Sequence, residues 1–217
     1  STTNPSELTA EELLYSATLE ENKSSKMAIY NKVIELHNDW RAYNNIAVSF
    51  LEGYSWKQSD NNMNQALDFL NKAIENGGAN QPEVLINLGV IASWKGELSK
   101  AKELFEQSPE DINHNKAILS IRMGDYRAAS RYYRGQETYN ATLANILNGN
   151  NNSTCLENTA ECYYLNAIAG ARAGNETLLF MNLEKAISSN NIYKNQAAKD
   201  LEFLNYRENE QFISLIK

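Results

Sequence analysis

Proline is scarce, with three residues in 217, and glycine supplies only ten. So little of either excludes a collagen-like repeat and a Pro/Gly-rich disordered chain. Two cysteines, Cys155 and Cys162, are too few for a disulfide-dense scaffold. No apolar run reaches the ~18 residues that a membrane-spanning helix needs. Positive charge is also short: 20 Lys+Arg stand against 27 Asp+Glu, for a net charge of −7 and a pI near 5.0. Binding to nucleic acid needs a clustered basic footprint, and adsorption to an anionic membrane needs the same, so neither is expected. What remains, 42% hydrophobic and 22% charged, is globular composition. The chain is long enough to bury a core without staples.

Chemistry-bearing motifs are missing as well. The two histidines, His37 and His114, cannot make a zinc site without carboxylates at helical spacing, and no HExxH or CxxC occurs. GxSxG, GxGxxG and GxxxxGK[ST] are absent. The expectation is a non-catalytic protein with no cofactor and no metal, its histidines solvated or capping. The opening STTNPSELTAEELL has no basic stretch followed by an apolar one, so no signal peptide is expected in this chain.

Asparagine is what the chain has in excess, 30 residues, roughly three times an ordinary share. N-x-[ST] occurs at Asn22, Asn140, Asn151, Asn152 and Asn175. So Asn-rich a chain makes such triplets by chance, and a polar solvated surface is the simpler reading. Apolar residues recur at three and four: Leu67, Leu70, Ala73 and Ile74; Leu85, Leu88, Gly89 and Ala92; Leu98, Ala101, Leu104 and Phe105. No segment alternates with period two for long enough to be a strand. Breaks are expected at Gly77-Gly78, Gly96, Ser108-Pro109, Gly124, Gly135, Gly149 and Gly174.

The periodic segments repeat. From Pro82 to Phe105 the chain places Leu85, Leu88, Gly89, Gly96, Ala101 and Phe105 in a pattern that resembles a tetratricopeptide repeat. Gly89 and Ala101 are small where two helices cross, and Leu88 and Phe105 are large where pairs meet. Further copies follow: Tyr43, Ile46, Ala47 and Phe50 with Ala66, Leu70 and Ala73; Ala117, Gly124, Ala129 and Tyr133; Tyr163, Ala167, Gly174, Leu183 and Ala186. Leu13, Leu14, Tyr30 and Val33 make a weaker first copy. Tyr54 to Asp60 reads as an insertion at a turn, and Tyr139–Leu147 with Ser153–Asn158 as a shortened pair.

The resemblance implies an all-α, right-handed tetratricopeptide-like solenoid forming one domain over 1–217. Its helix pairs are expected at 8–38, 40–76, 82–108, 113–136, 139–158 and 160–190, about six in all with two degenerate. A capping segment over 194–217 should close the last apolar face with Leu201, Leu204, Phe212, Ile213 and Ile216. More narrowly, Asn38–Ala47 and Ala197–Phe203 resemble repeat regions of Bacteroidetes cell-envelope proteins. That likeness implies a piece of a larger exported protein, periplasmic or outer-membrane associated.

Such repeats bind proteins or peptides in a groove lined by the first helix of each pair. Carried onto this sequence, the groove positions are Arg41, Asn44, Val48, Glu83, Ile86, Val90, Trp94, Ile118, Arg122 and Tyr164, with Leu51, Ser93, Asp111, His114, Ile121, Glu161, Ile168 and Arg172 beside them. The set is too poor in cations to capture a C-terminal carboxylate. Trp94 is the best single contact residue, unless it packs on the insertion around Trp56. Two functions stay open: a protein- or peptide-binding scaffold, or a structural spacer between flanking domains. Cys155 and Cys162, seven apart, either close a bridge across a short turn in an oxidising compartment or remain free thiols.

Overall fold

A computed structural model describes residues 8–52, 60–108 and 112–217. The insertion around Trp56, together with Pro109 and Asp111, lies outside them. Every described regular element is helical. The chain divides into two compact units, residues 1–112 and 113–217.

The first unit holds α1 (Ala10–Leu19), α2 (Lys23–His37), α3 (Trp40–Leu51), α4 (Asp60–Ala73), α5 (Pro82–Trp94) and α6 (Leu98–Gln107). Consecutive helices pack as α1 on α2, α3 on α4 and α5 on α6. Their starts follow from capping side chains. Thr9 and Glu12 form a reciprocal capping box, Asn22 accepts from the Ser24 and Ser25 N–H groups, and Asp39 accepts from that of Arg41. Each such cap contributes about 1 kcal/mol. α2 ends at Asn38 in the left-handed region, φ 49°. The Asn38 side chain donates to Asn76 and accepts from the Tyr43 hydroxyl at 2.7 Å, tying the end of α2 to α3 and to the wide turn Ile74–Gly78 that follows α4.

Of the expected small and large positions, Gly89, Ala101 and Phe105 are buried and Leu88 is half-buried. Ala47, Ala66, Leu70 and Ala73 are fully enclosed with Met63 and Val84. A Cβ on Gly89 would lie 2.6 Å from Phe105 Cδ1, so α5 and α6 touch through a position that only hydrogen fits.

The second unit holds α7 (Asn113–Arg122), α8 (Tyr126–Tyr132), α9 (Tyr139–Leu147), α10 (Ala160–Ala173), α11 (Glu176–Ser189), α12 (Ile192–Lys199), a 3-10 turn (Leu201–Tyr206) and α13 (Glu210–Ile216). Ala117, Ala129 and Tyr133 bury together between α7, α8 and α9. α10 closes at Gly174 with φ 66°, a conformation glycine takes without a Cβ clash. α10 and α11 meet where Gly170 approaches the Leu179 backbone; an added Cβ there would lie 2.5 Å from the Leu179 nitrogen.

Two expectations are corrected here. Ser153–Asn158 is not helical. Its Asn, Ser and Thr side chains compete for the backbone, and Asn166 of α10 bonds both Cys155 backbone groups, at 2.8 Å to the N–H and 3.0 Å to the carbonyl. Leu201 and Leu204 do not close the apolar face; they are 75% and 55% exposed. In a 3-10 turn residues three apart eclipse, so Phe203 and Tyr206 face inward and the two leucines face outward. Phe203 and Phe212, both fully buried, form the cap's core against Tyr164 and Tyr193.

Candidate functional site

Neighbouring first helices in the first unit, α3 and α5, carry seven of the expected groove residues. Arg41 opens α3 already paired. Its guanidinium donates to both Asp39 oxygens, at 2.9 and 2.7 Å, and lies 3.6 Å from Glu11. The Arg41 hydrogen bonds hold the Asp39 carboxyl below the usual carboxylate range. Arg41 is thus an intramolecular anchor and not an open cation, which the notion of a groove charge did not foresee.

One turn further along, Asn44 is 5% exposed and its Oδ1 accepts from Asn87 Nδ2 of α5 at 2.9 Å. This bond spends one acceptor and one donor. The remaining Asn44 Nδ2 and Asn87 Oδ1 have no other partner among the described residues. Val48 lies four residues after Asn44, and Ile86 and Val90 share a stripe of α5 at the same spacing; all three are half-buried. Glu83 is exposed at the start of α5, and Trp94 at its end packs against the apolar cluster of α3, α4 and α5. Leu51 and Ser93, beside the groove positions, are buried.

The other three expected residues lie in the second unit. Ile118 is half-buried on α7 and Arg122 is exposed at its end. Tyr164 is not a groove residue: it is 3% exposed, and its hydroxyl donates to Asp200 Oδ2 at 2.9 Å. Burial, then the Asp200 partner, push its ionisation well above the ordinary tyrosine range. Arg172 is likewise committed, reaching both Glu202 oxygens at 2.6 Å and locking the 3-10 turn to α10. His37 bonds the Leu8 carbonyl oxygen at 2.9 Å, and His114 meets the Tyr133 hydroxyl at 3.1 Å.

Sequence reasoning missed Asn87 because it sits one residue off the family's groove position. It also missed a cleft of about 290 Å³ on the first unit, floored by Leu67, Ile74, Leu88 and Leu104, with the Lys100–Glu97 ion pair at its rim. Cys155 and Cys162 are joined by a disulfide with Cα atoms 5.3 Å apart. Among the described residues no three His, Cys, Asp or Glu side chains are placed to hold a metal ion, and no helix is long and apolar enough to cross a membrane. No family model matches the chain, and no curated protein matches it significantly, so its likeness to tetratricopeptide repeats rests on the residues themselves.

Proposed function

We propose that the chain is a non-catalytic scaffold of tetratricopeptide-like repeats, a solenoid that binds a protein or peptide in the cell envelope of a Bacteroidetes-type bacterium. The observation that carries the reading is the Asn44–Asn87 pair. Asn44 Nδ2 and Asn87 Oδ1 keep donor and acceptor capacity, with Asn87 the more accessible of the two, and a peptide group offers the complementary acceptor and donor. Val48, Ile86 and Val90 flank the pair, so an extended segment could bond its backbone to it and bury aliphatic side chains alongside. Each 100 Å² of apolar area so covered contributes about 2.5 kcal/mol before ordering costs. The Cys155–Cys162 bond favours an exported setting, since such bonds persist in oxidising compartments.

The test is capture from envelope extract with the intact chain, Val90→Glu and Trp94→Ala, each checked for unchanged helicity. A specific partner held by the intact chain and lost with Val90→Glu is the expected result. Equal capture by all three overturns the face, and no capture at all favours a spacer between flanking domains.

A further inference from the structure

The protein is acidic overall, yet four of its seven arginines fall between Arg122 and Arg134. Three of them, Arg127, Arg131 and Arg134, line one cavity of about 430 Å³ in the second unit, between α8 and α9. No carboxylate lines it. None of the three guanidinium groups has an ion-pair partner among the described residues. This differs from Arg41 and Arg172, each of which is held by an acidic neighbour. Polar groups join the lining beside Tyr133: Ser130 donates to Asn145 Oδ1 at 2.6 Å, which leaves the Asn145 amide nitrogen its donor capacity. Asn148 adds a second amide.

We infer that this cavity is a docking site for an acidic peptide segment of a partner protein. The spacing selects that ligand over a single small oxyanion. Arg127 and Arg131 are one helical turn apart, about 6 Å along the axis, and Arg134 follows in the turn after α8. Alternate side chains of an extended peptide repeat at about 6.6 Å, so carboxylates on every second residue meet successive guanidinium groups. Arginine rather than lysine suits this, because its planar fork engages a carboxylate with two parallel hydrogen bonds. The site shares no residue with the α3–α5 face and stands or falls separately from it.

Calorimetric titration of the intact chain with an alternating Glu-Ser nonapeptide tests it, with a Gln-Ser nonapeptide and inorganic phosphate as comparisons. Saturable binding of the Glu-Ser peptide is expected, weakening as salt is raised. Arg127→Ala with Arg131→Ala should lower affinity about tenfold or more. Arg127→Lys with Arg131→Lys should keep part of it, and Lys102→Ala on the exposed side of α6 should leave it unchanged. Absence of binding to the intact chain overturns the inference. So does equal binding by the double alanine variant or by the Gln-Ser peptide, and so does phosphate displacing the peptide at matching concentration.

Discussion

Leucine at position 89 would have to occupy the space that the Phe105 ring already fills. Overpacking of this kind costs about 1–3 kcal/mol or more, and each kcal/mol moves the melting temperature of a domain this size by about 2–8 °C. Gly89→Leu should therefore melt several degrees lower, and Ala101→Leu on the facing helix should behave alike. An unchanged melting temperature would contradict the α5–α6 crossing. A second residue-scale expectation concerns pH. Burial raises Tyr164, and it pushes Tyr193 up to about 12, helped by Glu161 and Tyr139 nearby. A raised tyrosine pKa means that folding favours the neutral ring. Its stabilisation is complete below the ordinary tyrosine pKa of about 10 and is lost as pH rises through about 12. Melting temperature should hold flat to about pH 10 and then fall, and Tyr164→Phe with Tyr193→Phe should flatten that alkaline limb. An equally steep fall in the double variant would contradict it. Small positions such as Gly89, Ala101 and Ala129 were legible in the sequence because close helix crossings admit little else. Tyr164 was not, because the groove pattern presumes another repeat beyond α10, whereas here a cap folds back onto that helix and covers the ring.

Helix boundaries were legible where a glycine marks the break, as at Gly96, Gly124 and Gly174, whereas the capping roles of Thr9, Asn22 and Asp125 emerged only in the structure. Much of the asparagine excess also has structural work: Asn175 and Asn209 cap α11 and α13, and Asn166 substitutes for helix hydrogen bonds at Cys155. Sequence periodicity missed this last arrangement, because a side chain eleven residues away satisfies the backbone. It missed the inward faces of the 3-10 turn too, since a period of three was read as one of 3.6. The Arg172–Glu202 pair holds that turn, with each side chain less than a third exposed. Arg172→Ala should cost about 1–3 kcal/mol and speed amide exchange in 201–216 before it affects α10. Uniform exchange across the second unit would contradict a local lock. The disulfide makes an equally concrete expectation. Chain purified from an oxidising compartment, denatured without reductant, should show no free thiol, and two thiols per chain would remove the bridge.

At the scale of the whole chain, composition and three-four periodicity were enough to read an all-helical protein, and the described residues contain no strand. Circular dichroism should agree, and a strand content above about a fifth would not. In the structure α1 packs on α2, α3 on α4, α5 on α6, α7 on α8 and α10 on α11, while 153–158 supplies no helix to pair with α9. Function was less legible. Groove positions carried over from a resemblance ignore what a given side chain is already bonded to, and Arg41, Tyr164 and Arg172 are all committed internally. The strip proposed to meet a partner therefore runs over the half-buried Val48, Ile86, Asn87 and Val90, with Asn44 buried and bonded to Asn87. Photo-crosslinking tests that strip most directly. A benzophenone amino acid at position 90 is compared with one at position 102 on the solvent side of α6, both irradiated in envelope extract. A discrete adduct from position 90, absent from position 102 and suppressed by Asn87→Ala, is the predicted result. Matching adducts from both positions, or none from position 90 in a chain that keeps its helicity, would contradict peptide binding between α3 and α5.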